Sequence, residues 1–182
     1  MKKITSLAMI AMFAAGSMFA QGQTESYAQP LPAKVDLKPE ELKCLALNIY
    51  FEAGVESNAG KMAVANVVFN RVDSDKFPNN ICDVVHQGPT KPSWKDPNVQ
   101  VPVRNMCQFS WWCDGKKDIP YEGEAWENSK AIATTLLTMR EKGELSLDIT
   151  DGAMYYHADY VTPYWAKSFI KTAKIDAHIF YR

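Results

Sequence analysis

The sequence predicts an α+β domain, helical in its N-terminal part and carrying short strands in its C-terminal part. Three stretches carry that prediction. "KPEELKCLALNIYFEA" places Leu42, Leu45, Ala46, Ile49 and Ala53 at i, i+3, i+4, i+7 and i+11, the stripe of a helix with one buried face. "SNAGKMAVANVVFNRV" is apolar nearly all round, which predicts a helix buried on most sides. The tail "GAMYYHADYVTPYWAKSFIKTAKIDAHIFYR" mixes aromatic and β-branched residues, the composition of strands.

Each element follows in chain order. Lys2 and Lys3, the apolar run from Leu7 to Ala20 and the small polar residues after it have the layout of a secretory signal peptide over residues 1–22. Cleavage after Ala20, Gly22 or Ala28 fits equally. The apolar run has 14 residues, short for a hydrocarbon core of about 30 Å. No cysteine directly follows it for lipid attachment. Residues 23–38, polar with Pro30 and Pro32, read as a linker. Pro39, Glu40 and Glu41 then open the first helix, and Ser57 or Asn58 caps the second. The turn "FPNN" leads into "ICDVVHQ", a short element whose type the pattern leaves open. Residues 88–104 contain Pro89, Pro92, Pro97 and Pro102 and read as a loop without regular structure. A loop of that length in a compact domain is commonly a binding loop. "EAWENSKAIATTLLTMREKG" predicts a third long helix ending at Gly143. The tail reads as strands around one helical turn near Trp165. There are no internal repeats.

The chain of 182 residues is 47% hydrophobic and 23% charged, which suits one globular domain, here residues 39–182. A net charge of −1 gives no electrostatic case for nucleic acid or an anionic membrane. Cys44, Cys82, Cys107 and Cys113 all follow the leader, and an even count in an oxidising compartment points to disulfides. Of the three possible pairings, the short spacing favours Cys107–Cys113, which leaves Cys44 with Cys82. No CxxC pair is present, and His86, His157 and His178 have no HExxH spacing, so nothing in the spacing supports a zinc site or a zinc amidase, and no metal or organic cofactor is called for. A Cys–His peptidase would need Cys44 as a free thiol within an apolar helix.

Glu52 stands out. It lies three residues after Ile49, four after Asn48 and seven after Leu45, at the edge of the buried stripe. Desolvation there raises a carboxyl pKa, and a carboxylic acid kept partly protonated is what glycosidic cleavage asks of its general acid. The structural alternatives are a helix-end cap or a partner for Arg71. Gln108, Phe109, Ser110, Trp111 and Trp112 cluster between two cysteines, directly after the proline-rich loop. Amide, hydroxyl and indole groups suit N-acetyl groups and sugar faces, although either indole can instead belong to the core. Tyr155, Tyr156 and His157 alternate along a strand, so Tyr155 and His157 share a face able to line a cleft.

The blocks "CLALNIYFEA", "GKMAVANVVFNRV", "FPNNICDVV", "CQFSWWCDG" and "GAMYYHADYVTPYWA" occur in that order over residues 40–182. Together they resemble the cell wall hydrolase family of the spore cortex-lytic enzymes, in its exported and phage-associated branch. The resemblance implies a compact lysozyme-like lytic domain that cleaves peptidoglycan between N-acetylmuramic acid and N-acetylglucosamine. Glu52, in the family's Y-x-E-A block, would be the catalytic acid. Asn70, Gln108, Ser110, Trp111, Tyr155, Tyr156 and His157 would contact the glycan. The implied partner is the peptidoglycan glycan strand, met by a monomer at the cell wall, in the periplasm or outside the cell. No nucleic acid and no stable membrane insertion after leader removal are expected.

Two positions depart from the family pattern. The block after Glu52 usually runs E-A-R/G-G-E, whereas Gly54 and Val55 precede Glu56 here, a change expected to reshape the cleft edge. Asp176 stands where a glycine is usual, and Asp tolerates positive φ better than most residues. A glycosidase using water needs a second carboxylate about 5 to 9.5 Å from the first. A lytic transglycosylase needs one, because the muramyl 6-hydroxyl attacks within its own sugar. Glu56, Asp114 and Asp151 have no setting like that of Glu52, so transglycosylation is the expectation. The alternatives are a muramidase-type hydrolase and a non-catalytic murein-binding protein on the same fold.

Overall fold

The computed structural model describes residues 35–182. The expected signal peptide and most of the expected linker lie outside that range. Helix α1 (Pro39–Ala53) starts with Pro39 in its first turn beside Glu40 and Glu41, where carboxylates favour the positive end of the helix dipole. It buries Leu45, Ile49 and Ala53. Helix α2 (Asn58–Val72) is capped by Ser57, whose hydroxyl accepts from the Gly60 N–H at 3.3 Å. Ala63, Val64, Val67 and Val68 are all fully buried, as an all-round apolar pattern requires. The element left open in the sequence is a short helix, α3 (Ile81–Val85), capped by Asn80. Helix α4 (Glu124–Glu141) is followed by Gly143 at φ +69, the left-handed position that ends a helix. Leu136 and Leu137 of α4, Val68 of α2 and Val84 and Val85 of α3 share one core with Leu45 and Ile49 of α1.

The proline-rich segment corrects the expectation of an irregular loop. It forms an antiparallel hairpin, β1 (Thr90–Pro92) with β2 (Gln100–Pro102), in which Lys91 faces Val101. Proline survives there because both strands of a two-stranded ribbon are edges, and a missing N–H can face outward. Bonds from Ser93 N to Val99 O at 2.8 Å and from Val103 N to Pro89 O at 2.9 Å extend the pairing.

The tail holds three antiparallel strands, β3 (Tyr155–Ala158), β4 (Lys171–Ile175) and β5 (His178–Tyr181), in the order β3-β5-β4. A 3-10 turn, Tyr164–Ser168, lies between β3 and β4, where a helical turn was expected near Trp165. Phe180 of β5 buries itself against Ala63 and Val67, which seats the sheet on α2. Asp176, in the turn between β4 and β5, adopts φ +48. Its carboxylate accepts from Ser57 N at 3.0 Å and from Ser57 Oγ at 2.6 Å. The turn is thereby fastened to the start of α2. Contact is so close that a Cβ on Gly60 would fall 2.5 Å from Asp176 Oδ2.

The cysteines pair as their spacing favoured. Cys44–Cys82 staples α1 to α3, and Cys107–Cys113 closes the segment that contains a second 3-10 turn, Ser110–Cys113. Cys44 therefore offers no free thiol for a peptidase. Among the described residues, no helix is long and apolar enough to cross a membrane.

Candidate active site

Glu52 occupies the last turn of α1, three residues beyond the fully buried Ile49. Two adjoining clefts, of about 680 and about 740 Å³, are both lined by Glu52 and Ser110. The carboxylate therefore stands where two arms of a groove meet. Tyr156 Oη donates to Glu52 Oε2 at 2.8 Å. Burial raises the Glu52 pKa above the ordinary carboxyl value, while the Tyr156 bond and the Arg71 charge offset part of that rise. Burial and the neighbouring Glu52 push the Tyr156 phenol well above its usual range, so it stays a donor.

The first arm is aromatic. Tyr155, Tyr156 and His157 all line it, together with Tyr160, Trp165 and Phe169. Sequence alternation pointed to the Tyr155–His157 face, yet Tyr156, on the opposite face, reaches Glu52. β3 is an edge strand, which lets the groove meet both of its faces. Tyr155 packs 4.4 Å from Phe169, and His157 Nε2 lies 2.9 Å from the Tyr181 hydroxyl. These contacts hold the aromatic wall in place.

Gln108 and Ser110 enter the groove by local alternation. The Gln108 N–H is fixed to Gln87 O at 2.9 Å and Phe109 turns into the core, which leaves Gln108 and Ser110 exposed. Trp111 lines the second arm as a packed wall. It is 6% exposed, donates from Nε1 to Asn48 Oδ1 at 3.0 Å and stacks on Phe51 at 4.8 Å. Trp112 stacks on His86 at 3.7 Å.

Asn70 is a correction. Its side-chain amide donates to Asp148 Oδ2 and to Ala153 O, both at 2.9 Å, and it lines neither arm. One residue before Arg71, it is turned about 100° away around α2. It pins the turn before β3. Gly54 and Val55 also lie outside both arms, and Val55 is 98% exposed to solvent.

The sequence reading missed two features. Arg71, weighed there only as an ion-pair partner, lines the first arm but makes no salt bridge among the described residues. A charge in the last turn of an all-round apolar helix was the available signal. The second arm is walled by the segment 114–121, held to α1 where Tyr121 N donates to the Tyr50 hydroxyl at 3.1 Å. Asp118 lies in that wall, and burial, then the Asp114 charge, raise its pKa.

Comparison with known proteins bears on the family and the fold. The model of the cell wall hydrolase family matches residues 55–181. The catalytic domain of the Bacillus cereus SleB protein superposes with a TM-score of 0.56 at 24% identity, over 81% of this chain and 93% of that one. The catalytic domain of the germination-specific lytic transglycosylase SleB from Bacillus anthracis gives a TM-score of 0.56 at 25% identity, over 84% of this chain and 100% of that one. No curated protein gives a significant match. On the family match and the shared α+β architecture, this chain belongs to the cell wall hydrolase family.

Proposed function

We propose that this protein is an exported lytic transglycosylase that cuts peptidoglycan glycan strands between N-acetylmuramic acid and N-acetylglucosamine. One observation carries the reading: a carboxyl group with a raised proton affinity stands where the two arms of an open groove meet. The solved Bacillus anthracis relative is itself described as a lytic transglycosylase. Glu52 gives its proton to the glycosidic oxygen as the C1–O bond breaks. The resulting carboxylate then takes the proton of the muramyl 6-hydroxyl as that oxygen bonds to C1, closing the anhydro ring and restoring the acid. Gln108 and Ser110 offer an amide and a hydroxyl to the N-acetyl groups, and the aromatic arm offers stacking faces to the sugars. A disulfide-bonded domain of 39–182 released from a leader at 1–22, acting as a monomer at the wall, fits this role.

Digestion of purified peptidoglycan by wild type and Glu52→Gln, read by mass spectrometry, tests it. Anhydro-muramyl ends from wild type alone are expected. Asp118 supports a second reading, a hydrolase using water, because it brings a second carboxyl with raised proton affinity into the arm that Glu52 also lines. Reducing ends that vanish in Asp118→Asn would favour that reading. Binding without cleavage would mark a murein-binding module.

A further inference from the structure

Arg71 is a buried cation without a counter-ion among the described residues. Its side chain is enclosed in the last turn of α2, with the residue only 4% exposed. Nε donates to Met154 O at 2.8 Å, and Nη1 has no partner among the described residues. The guanidinium carbon lies 5.1 Å from the ring centres of Phe77 and Phe109 and 5.9 Å from that of Tyr155. Three rings and one carbonyl hold the charge in position but neutralise none of it. A buried charge left unpaired is strongly destabilising. The acidic side chain that lines the same arm is Glu52.

We propose that Arg71 is a positioning residue that serves as the fixed counter-charge of Glu52, stabilising the carboxylate formed once the proton has left. The inference rests on the acid-then-base role given to Glu52 above. A carboxyl in an apolar setting keeps its proton well, but the ionised form it must pass through is poorly solvated there. A guanidinium held by rings lowers the energy of that form without a contact ion pair that would hold Glu52 ionised throughout. Its hold on Met154 O, directly before β3, also fixes the strand that brings Tyr156 to Glu52.

Other titratable and charged groups line the two arms. Tyr156 meets Glu52 from β3, Tyr155 and His178 line the same arm from β3 and β5, and Asp114, Asp118, Lys116 and Lys117 border the second arm. Burial lowers the His178 pKa, which the charges of Glu56, Asp176 and Asp159 oppose. Of the cations in both arms, Arg71 alone is buried.

Two titrations on the full chain test the proposal. In the first, ¹³C NMR follows the Glu52 side-chain carboxyl in wild type, Arg71→Gln and Arg71→Lys. Removing the charge should move the Glu52 midpoint upward by about one pH unit, and Lys should restore most of the difference. A purely structural Arg71 would leave the midpoint unchanged in a folded Arg71→Gln protein, which would overturn the proposal. The second needs no change at Arg71: the ¹⁵Nε resonance of Arg71 is followed with pH in wild type and Glu52→Gln. A step at the Glu52 midpoint in wild type, absent in Glu52→Gln, is expected. A flat wild-type trace would also overturn the proposal. Neither titration depends on the bond the enzyme cuts, so failure here is separable from failure of the transglycosylase reading.

Discussion

The phenol of Tyr156 and the carboxyl of Glu52 meet at 2.8 Å across 104 residues of sequence, so the end of α1 and the edge of the C-terminal sheet share one hydrogen bond. Because that bond favours the ionised carboxylate, its loss should raise the Glu52 pKa further. In Tyr156→Phe, Glu52 therefore stays protonated to higher pH, and the alkaline limb of the activity profile moves upward. Peak activity falls about tenfold, the scale of one hydrogen bond to a charged group. Turbidity loss of peptidoglycan suspensions across a pH series reads both effects. A limb that moves downward would refute the assignment.

The same raised pKa makes Glu52 a cost to stability. The folded state binds the proton more tightly than the unfolded chain does, so stability falls as pH rises from the unfolded carboxyl pKa toward the folded one. Glu52→Gln removes that penalty. The variant should melt a few degrees above wild type at neutral pH, as about 1 kcal/mol gives in a domain of this size. The two curves should converge below about pH 4. Calorimetry over that range checks the sign, and a variant less stable than wild type at neutral pH would contradict it.

The helices were legible because their apolar residues recur with the helical period, and Glu52 was legible because that period put a carboxyl at the rim of a buried stripe. Cysteine pairing was legible because Cys107 and Cys113 are near neighbours in sequence. The hairpin at Thr90–Pro102 was not, since proline counts against strands unless both are known to be edges. Tyr156 was expected to contact the glycan, but its bond to Glu52 was not legible, because alternation shows which residues share a face and not which face meets Glu52. Asn70 was misplaced because its neighbour Arg71 faces the groove, and one step around a helix is enough to leave it. The wall at 114–121 depends on a bond from Tyr121 to Tyr50, 71 residues away, which no local pattern records.

Asp176 does two jobs, of which a glycine can do one and an alanine neither. Its φ of +48 suits Gly, and its carboxylate, held below the usual range by the Ser57 hydrogen bonds, secures the start of α2. Asp176→Gly keeps the backbone and loses the tie, which should cost about 1 kcal/mol. Asp176→Ala loses the tie and adds left-handed strain, for roughly 2 to 3 kcal/mol. Urea denaturation midpoints should therefore rank Asp, then Gly, then Ala. Equal midpoints for Gly and Ala would show that the positive φ is not retained in solution.

The two disulfides should separate stability from activity. Cys44–Cys82 spans 38 residues and Cys107–Cys113 spans 6. Loop-closure entropy then assigns about 4 kcal/mol to the first and about 2 kcal/mol to the second. Cys44 lies eight residues before Glu52 on α1, about 12 Å along the helix, so its bridge supports the fold at a distance from the groove. Cys107 lines the first arm, and its bridge to Cys113 encloses Gln108 and Ser110. The Cys44→Ser/Cys82→Ser protein should lose the most in melting temperature, yet at 15 °C it should keep wild-type kcat/KM. Cys107→Ser/Cys113→Ser should lose less stability but about tenfold in kcat/KM, because Gln108 and Ser110 are no longer held in place. Kinetics and melting of both variants in parallel check the division, and the opposite ranking in activity would mean that the closed segment does not position the glycan.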